Sequence, residues 1–575
     1  MRVNKTCLCT LFGLTSLVLA EPALRRSDVV FMYQADRQVY QEYGATVLAW
    51  GGTPTPKSKA EAAAAGVKFF GSVGMVTEFS RYYERFPDTY EQGLCRDIQG
   101  QPVKVPWLTD HQHKGVPYWW CCTQQPRFRQ YLRERLIETV KAQADGVHID
   151  DHLGTAGGLW LGTCFCDPCV AGFRDHLRSL PPEERQQLHV EPVEAFNYRD
   201  VLRQWRAESA QERSVPQHSL WNHWSVYQGH AAAAFMLELR ELAAKTAGHP
   251  VPIGANAGLL WPRHLADYQA LDLFSAETDH HASGQRFTDQ PLFAYRLAEA
   301  VGRPYAATAG GGDWAFIKEK QKPGLVRCWI ALSYAAGQCF MAPHRQWCYT
   351  PEKGTHWYEG PAEKFAPLYR FVRTHSKWFD ACETYADVAV VVPHRSFVRN
   401  SQSWFDVCNQ LAAANVSYRI LLAGDDLVLH PLTAEALATC PNLLIRERDD
   451  LQPADRKLIA ELPGTRRVYG TGADVLTQVR PAVQIEADGM VRAWPRVGKG
   501  LAVIHLLNGN YDSTRDDFRQ VSNVQVRLDL AALGISGAST CQLLAPDAES
   551  LTLRVENSTV VVPQLGLWGL LTFSP

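Results

Sequence analysis

The sequence predicts an α/β protein: a (β/α)8 TIM barrel, then a flavodoxin-like α/β domain, then a small antiparallel β domain. Short apolar, β-branched runs alternate with amphipathic helical segments over about 350 residues after Arg26, as in parallel barrel units. A shorter alternation of the same kind begins near Ala386. From Ala482 onward, short strand candidates follow one another without a convincing helix. A chain of 575 residues has room for these three domains.

Eight strand candidates give the barrel its repeat, and we place the barrel at residues 21–383. In chain order they are 29–33, 46–50, 67–73, 146–149, 251–255, 271–276, 305–308 and 339–342. Helical patterns separate consecutive strands, and a helix is expected at 264–270 between the fifth and sixth. Residues 181–248 form an expanded helical region, so the barrel carries insertions.

Two smaller domains follow. Residues 384–478 contain strand candidates at 388–392, 418–422, 443–446 and 467–469. They lack a Gly-rich phosphate loop, so this domain gives no support for nucleotide binding, and a structural or oligomerisation role is expected. Residues 479–575 are expected to form a β-sandwich. Its strand candidates are 503–507, 524–530, 551–555 and 559–562.

Composition and the N-terminus indicate where the protein acts. The 58 Lys and Arg residues nearly balance 60 Asp and Glu residues, which argues against nucleic acid or an acidic membrane surface as a partner. Arg2 and Lys5 precede an apolar run that ends in small residues near Ala20, the pattern of a signal peptide over residues 1–20. No later segment is long and apolar enough to span a bilayer. We therefore expect a secreted or periplasmic protein with no membrane span once the signal is removed.

Carboxylates follow two of the predicted barrel strands. Asp150 and Asp151 come directly after the fourth strand, and Glu277 comes directly after the sixth. Parallel barrel strands bring their carboxyl ends to one mouth, and glycoside hydrolysis needs two carboxyl groups across the scissile bond. We predict Asp150 or Asp151 as nucleophile or base and Glu277 as general acid, roughly 5–9 Å apart. The plain alternative for the two aspartates is loop capping, for which Asp is well suited.

Further polar and aromatic residues near predicted strand ends are candidates for substrate binding. His and Arg can hydrogen-bond sugar hydroxyls, and Trp can stack on a sugar ring, although the 17 Trp of this chain also suit cores and interfaces. The candidates are Trp50, His111, His113, Asp313, Trp314, His344 and Arg345.

A cysteine cluster stands out among the 15 Cys of the chain. Cys164, Cys166 and Cys169 are close enough in sequence to share one Zn²⁺, with a fourth ligand available from Cys121 or Cys122. The alternative is disulfide bonding, which an oxidising compartment favours. A site made only of thiolates would be structural, because it leaves no open position for catalysis. No organic cofactor is expected.

Two stretches and the domain order resemble the β-galactosidases of glycoside hydrolase family 42 and related uncharacterised hydrolases. The run from Cys122 to Arg129 (CTQQPRFR), with Cys164, Cys166, Cys169 and Phe173-Arg174, resembles that family's four-cysteine zinc clamp and adjoining helix. Residues 323–329 (PGLVRCW) are similar to its segment before the last barrel strand. The resemblance implies Cys122 as the fourth zinc ligand. It also implies a middle domain that supports trimers, so a homo-oligomer is expected.

The catalytic residues of that family are not carried over. The family has Asn-Glu at the end of its fourth strand, with the Glu as acid/base, whereas the aligned pair here is Asp151-His152. Its nucleophilic Glu, after the seventh strand, falls near Ala309. Many α-glycosidases and α-fucosidases instead place an Asp nucleophile after strand four and an acid after strand six. Asp150 or Asp151 with Glu277 would match that arrangement by fold-level analogy.

The leading prediction is therefore a secreted glycoside hydrolase that cleaves oligo- or polysaccharide with two carboxylates. One alternative is a non-catalytic carbohydrate-binding barrel, motivated by the missing family glutamates. Another is a metal-dependent hydrolase using Asp110, His111, His113 and Asp151, since His-x-His with nearby Asp can bind a catalytic metal.

Overall fold

The computed structural model describes residues 22–209 and 213–574. The predicted signal peptide, residues 1–20, lies outside the described residues. Within the part of the chain that is described, no helix has both the length and the apolar character needed to cross a membrane.

Eight parallel strands form the barrel. In chain order they are Val30–Phe31, Val47–Leu48, Lys68–Gly74, Gly146–Asp150, Ile253–Ala255, Leu273–Thr278, Tyr305–Ala309 and Cys339–Phe340. Each strand pairs with its sequence neighbours, and a parallel bridge between Phe31 and Ala342 joins the last strand to the first. The seventh strand is buried over all five residues, as expected when helices cover the outside and side chains fill the inside. The predicted TIM barrel is confirmed.

Helices and insertions surround the barrel. The α-helices of this part are Arg37–Tyr43, Pro56–Ala64, Phe79–Arg85, Pro126–Lys141, Asp167–Ser179, Pro182–Gln187, Tyr198–Ala207, Trp221–Ala247, Pro291–Ala300, Gly311–Lys320, Pro323–Ala335, Ala362–Thr374 and Ser376–Asp380. Several begin at Pro within the first turn, where its missing N–H costs nothing. The helix predicted at 264–270 is wrong: two short 3₁₀ segments, Pro262–Leu265 and Tyr268–Ala270, link the fifth and sixth strands.

Two β-hairpins lie at the barrel mouth, and neither was predicted from the sequence. One pairs Gln112–His113 with Val116–Pro117 inside the long loop after the third strand. The other pairs Arg345–Thr350 with Gly354–Glu359 directly after the eighth strand. The second hairpin carries Trp347 into the cleft described below.

The second unit is a four-stranded parallel sheet. Its spatial order is Tyr418–Ala423, Val388–Pro393, Asn442–Ile445 and Arg467–Tyr469, so the first strand in sequence lies inside, as in flavodoxin-like sheets. Val388–Pro393 is buried throughout, because neighbouring strands and helices cover it on both sides. The helices of this unit are His394–Arg399, Ser401–Ala413, Ala434–Ala438, Pro453–Ala460 and Gly472–Gln478.

The third unit is antiparallel. A six-stranded sheet has the order Glu383–Thr384, Val491–Gly498, Leu501–Asn508, Trp568–Phe573, Thr540–Ala545 and Ala548–Arg554. A three-stranded sheet has the order Val483–Glu486, Val521–Leu528 and Thr559–Leu565, and a short pair joins Tyr511–Asp512 to Asp517–Phe518. Glu383–Thr384 spans the boundary predicted between the barrel and the middle domain, yet it pairs with the third unit. The chain therefore ties its C-terminal sheet to the end of the barrel.

Candidate active site

Two of the predicted catalytic carboxylates meet at the barrel mouth. Asp150 ends the fourth strand and Glu277 lies near the end of the sixth. The side-chain amide of Asn256 donates to both: Nδ2 lies 3.2 Å from Asp150 Oδ1 and 3.3 Å from Glu277 Oε2. Because both oxygens contact one nitrogen, they are at most about 6.5 Å apart. The two carboxyl groups therefore face a common point.

Asn256 is held in the orientation that makes this bridge. It follows the fifth strand, and its backbone N–H donates to the carbonyl of Ile149 at 3.1 Å. Its Oδ1 accepts from the backbone N–H of Glu277 at 3.1 Å, which leaves Nδ2 to face the carboxylates. Asn256 was not among the site residues predicted from the sequence. The available signal was its position, a polar residue directly after a barrel strand.

Asp151 occupies a different position from Asp150. Its backbone is in the left-handed region, with φ of 50°. The backbone N–H donates to Asp150 Oδ1 at 3.0 Å. The side chain borders a smaller cavity next to the main cleft, and Oδ2 is buried without a hydrogen-bond partner. The turn thus directs two consecutive aspartates into two adjoining spaces.

The carboxylates differ in acidity. Burial, and then the negative charge of Asp150, raises the pKa of Glu277 to about 7, although the hydrogen bond from Asn256 opposes this. Burial raises the pKa of Asp150 as well, against hydrogen bonds from Asn256 and the Asp151 N–H. Burial and the charges of Asp150 and Glu277 raise the pKa of Asp151 well above its usual range. Within the described residues, no Lys or Arg hydrogen-bonds to these carboxylates.

An aromatic cleft of about 440 Å³ contains Asp150 and Glu277. Its lining residues are Tyr33, Trp50, Thr77, Trp107, Leu108, Asp150, Asn256, Glu277 and Trp347. A space of about 390 Å³ continues it past Trp50 and Asp150. Trp50 is fixed in place, since Nε1 donates to Ser275 O at 3.1 Å and its ring stacks on His148 at 4.3 Å. Flat rings beside two carboxyl groups suit a sugar substrate.

A larger cavity of about 780 Å³ lies elsewhere. Pro304 and Gln338, which precede the seventh and eighth strands, line it together with Arg303. It therefore opens at the end of the barrel opposite to Asp150 and Glu277. Active sites of this fold lie at the carboxyl ends of the strands, so the smaller cleft is the candidate site.

Of the predicted substrate-binding residues, Trp50 alone lines the cleft, and the other six lie elsewhere. Trp314 is 1% exposed, donates to Thr308 Oγ1 and stacks on Tyr358, so its ring is covered by packing and does not line the cleft. Asp313 accepts from two backbone N–H groups, those of His280 and Ala282, at 2.7 Å each. It therefore holds the loop after the sixth strand rather than facing the cleft.

The other four candidates lie around the mouth without lining the cleft. His111 is paired with Asp110 at 2.9 Å, and His113 with Glu84 at 2.7 Å. His344 has its ring 6.1 Å from that of Phe31. Arg345 lies over the ring of Trp357, which in turn contacts Tyr33. The cleft residues that were not predicted from the sequence are Tyr33, Thr77, Trp107, Leu108, Asn256 and Trp347.

A buried four-cysteine group lies beside the loop that follows Asp151. The ligand atoms of Cys122, Cys164, Cys166 and Cys169 lie within 4.8 Å of one another. Cys122 Sγ is 3.6 Å from both Cys166 Sγ and Cys169 Sγ. Tetrahedral Zn²⁺ with bonds of about 2.3 Å needs sulfur atoms about 3.8 Å apart, so the group fits a structural metal ion. Each of the 13 Cys in the described residues is unpaired and buried, so the disulfide alternative is not what the structure shows.

The surroundings of the four-cysteine group also suit thiolates. Thr155 Oγ1 donates to Cys122 Sγ at 3.3 Å, and the Arg96 N–H donates to Cys164 Sγ at 3.2 Å. Burial and the hydrogen bond with Cys122 oppose ionisation of Cys164, but hydrogen bonds with Cys166, Cys169 and Cys95 lower its pKa to about 6. Donors in the shell around a metal stabilise thiolate ligands. A metal here would fix the loop between Asp151 and Cys164, which forms one side of the mouth.

The residues proposed for a catalytic metal are not assembled. In the described residues, the four-cysteine group is the single set of His, Cys, Asp or Glu with metal-binding spacing. His111 and His113 contact separate acids, Asp110 and Glu84, and Asp151 borders another cavity.

Solved structures of β-galactosidases share this fold over nearly the whole chain. The enzyme from Bacillus circulans sp. alkalophilus has a TM-score of 0.61 at 11% identity, covering 96% of this chain and 100% of its own. A catalytic mutant of a GH42 β-galactosidase from G. stearothermophilus has a TM-score of 0.61 at 10% identity, covering 95% and 98%. The enzyme from the psychrophilic Marinomonas ef1 has a TM-score of 0.56 at 12% identity, covering 95% and 100%.

No family model and no curated protein sequence matches the chain. The structural likeness confirms the predicted resemblance to GH42 β-galactosidases in architecture. At 10–12% sequence identity, this likeness establishes the fold alone.

Proposed function

We propose that this chain is a retaining glycoside hydrolase in which Asp150 is the nucleophile and Glu277 the acid/base. The bridge that Asn256 makes between the two carboxylates carries the proposal. It limits the distance between the two bridged oxygens to about 6.5 Å. The two carboxyl groups of retaining enzymes are about 5–5.5 Å apart, whereas those of inverting enzymes are about 6.5–9.5 Å apart because a water lies between them.

In the first step, Asp150 attacks the anomeric carbon while Glu277 gives its proton to the glycosidic oxygen. The bond to the leaving sugar breaks, and a glycosyl ester forms on Asp150. The acidities fit these roles, since Glu277 has a pKa of about 7 and keeps much of its proton at neutral pH. Asp150 is stabilised as an anion by the Asn256 amide and by the Asp151 N–H.

In the second step, Glu277 removes a proton from water, and the resulting hydroxide attacks the anomeric carbon. The sugar leaves with its original configuration, and Asp150 returns as a carboxylate. The charge of Asp150 is one cause of the raised pKa of Glu277, and the ester has no charge. Ester formation therefore lowers the pKa of Glu277 and converts it from acid to base.

The wider setting supports a carbohydrate substrate. Trp50, Trp107 and Trp347 present rings beside the catalytic pair, and rings of this kind stack on sugars. The β-galactosidases with the same fold act on carbohydrate, which favours the same class of substrate here. We also propose that the protein is secreted or periplasmic, that its four-cysteine group holds a structural Zn²⁺, and that it forms a homo-oligomer, by resemblance a trimer.

The convergence of Asp150 and Glu277 favours an enzyme over a non-catalytic binding barrel. Incubation with activated 2-deoxy-2-fluoro glycosides, followed by peptide mass spectrometry, tests this. We expect a covalent adduct on the peptide that contains Asp150, accumulating in the wild type and absent from Asp150→Asn. A matched control is Asp279→Asn, which removes an exposed carboxylate two residues after Glu277. Hydrolysis without any adduct, or an adduct on another residue, would contradict the assignment.

A further inference from the structure

Three adjoining spaces form a groove across the barrel mouth. The central cleft of about 440 Å³ shares Trp50 and Asp150 with the space of about 390 Å³ on one side. It shares Asn256 and Glu277 with the cavity of about 170 Å³ on the other side. Among the described residues, the two outer spaces have no lining residue in common. The groove therefore extends in two directions from the catalytic pair.

Each outer space has a solvent-exposed side chain in its wall. Arg81 lines the space of about 390 Å³, and its side chain is 53% exposed. Trp261 lines the cavity of about 170 Å³ and is 69% exposed. A pocket that receives only the end of a glycan is closed on one side, whereas this groove reaches solvent at both ends. It therefore suits a substrate that continues in both directions past the scissile bond.

The catalytic pair gives the groove a direction. Asp150 lines the central cleft and the Arg81 side, whereas Glu277 lines the central cleft and the Trp261 side. In a retaining glycosidase the nucleophile bonds to the sugar that stays on the enzyme, and the acid protonates the oxygen of the sugar that leaves. The leaving sugar, which belongs to the reducing-end part of the glycan, therefore lies on the side of Glu277 and Trp261.

Trp261 lies next to the main chain of the proposed acid/base. A Cβ atom on Gly258 would be 2.6 Å from the carbonyl oxygen of Glu277 and 3.7 Å from Cδ1 of Trp261, so this glycine alone separates the two. A Trp ring with this much exposed surface adds little to the hydrophobic core. Its flat apolar face is instead available to stack on a sugar.

We infer that this chain is an endo-acting glycosidase in which Trp261 binds the first sugar on the reducing-end side of the scissile bond. The inference rests on the proposed retaining function, because it assigns the substrate class of the same site. The substrate is then an internal bond of a polysaccharide or a long oligosaccharide, and cleavage does not start from a terminal monosaccharide. Trp261 determines specificity and takes no part in breaking the bond.

Dyed, crosslinked polysaccharides test endo-cleavage, because soluble dye is released when internal bonds break. The probes are azurine-crosslinked galactan, arabinan, xylan, mannan, β-glucan, amylose, dextran and chitosan. The p-nitrophenyl glycosides of the corresponding monosaccharides report cleavage of a terminal sugar. We expect the wild type to release dye from at least one polysaccharide. Its kcat/KM for the soluble form of that polysaccharide should exceed that for the p-nitrophenyl monosaccharide by about tenfold or more, because the short substrate lacks contacts along the groove.

Replacing Trp261 tests the direction of the groove. Trp261→Ala should lower kcat/KM for the cleaved polysaccharide by about tenfold, or ~1.4 kcal/mol of transition-state binding, whereas Trp261→Phe should keep most of it. The glycosyl fluoride of a trisaccharide from the same polysaccharide has a leaving group too small to contact Trp261, so its kcat/KM should be unchanged in Trp261→Ala. Trp160→Ala is the matched control. It removes a ring that is 64% exposed and is not among the described residues lining the three spaces, so it should match the wild type on both substrates.

Two kinds of result would overturn the inference alone, provided that hydrolysis requires Asp150 and Glu277. Hydrolysis of p-nitrophenyl monosaccharides without dye release from any polysaccharide would overturn endo action. In Trp261→Ala, equal losses on the polysaccharide and the fluoride, or no loss on either, would overturn the role of Trp261. The wild-type comparison stands even if this variant is unstable. Hydrolysis that requires neither carboxylate, or no hydrolysis of any of these probes, would overturn the proposed function and the inference with it.

Discussion

Replacing Glu277 with Gln should lower activity and raise stability at alkaline pH. The amide keeps the size and the contact with Asn256, but it neither donates a proton to the leaving oxygen nor ionises. Loss of a general acid lowers kcat by about 10²–10⁴-fold. A variant that is inactive because it is damaged would lose stability as well, so opposite changes in the two quantities identify a catalytic acid.

The size of the stability change follows from the acidity of the group. Burial and the charge of Asp150 raise the pKa of Glu277 from 4.5 to about 7. Between these values the folded chain keeps a proton that the unfolded chain has lost, so this contribution to stability is present below pH 4.5 and disappears as pH rises through 7. At 1.36 kcal/mol per pKa unit, the loss is ~3 kcal/mol. Glu277→Gln does not titrate and avoids it.

Thermal unfolding at pH 4.5 and pH 8 measures the effect as the Tm of Glu277→Gln minus that of the wild type. For a barrel of this size, ~3 kcal/mol corresponds to a change on the order of 4 °C. We expect the Tm difference between Glu277→Gln and the wild type to be larger at pH 8 than at pH 4.5 by that amount. The corresponding difference for Asp279→Asn should be the same at both pH values. A difference that is independent of pH, or a Tm that falls at pH 8, would refute the buried acid at this position.

Three further predictions concern the same site and its support. Asp150→Gly should be inactive in buffer, but with an activated substrate and added azide it should form a glycosyl azide of inverted configuration. Mass spectrometry and NMR detect this product. If no glycosyl azide forms, the result would count against Asp150 as nucleophile. The wild-type kcat/KM should decrease as pH rises through about 7, the pKa of Glu277. Asn256→Ala removes the hydrogen bond that lowers this pKa, so the alkaline limb should move to higher pH; an unchanged limb would contradict the bridge. Elemental analysis should find one Zn²⁺ per wild-type chain. Cys166→Ser should contain less zinc and have a lower Tm than the wild type. Cys408→Ser, which lies outside the four-cysteine group, should keep the metal.

The barrel and its two carboxylates could be predicted from the sequence for a simple reason. Apolar runs such as 146–149 mark buried strands, and parallel strands deliver the residues after them to one mouth. Asp150, Asp151 and Glu277 follow from that rule alone, which does not choose between the two aspartates. Asn256 obeys it equally, but nothing local shows that an amide after the fifth strand contacts both acids.

The rest of the cleft depends on long-range packing. Trp107 and Trp347 reach it from a long loop and from a hairpin, whose paths are not encoded in hydrophobic periodicity. The two tryptophans chosen from the sequence illustrate the limit. Trp50 lines the cleft, whereas Trp314 is packed against Tyr358, because neighbours distant in sequence decide which ring is covered.

The configuration of the first product tests the central claim most directly. ¹H NMR is recorded during the first minutes of hydrolysis, before mutarotation, with the oligosaccharide that is cleaved fastest. With Asp150 as nucleophile and Glu277 as acid/base, the first product has the same anomeric configuration as the substrate. An inverted first product would show that water attacks the substrate directly, and it would contradict the roles assigned to Asp150 and Glu277.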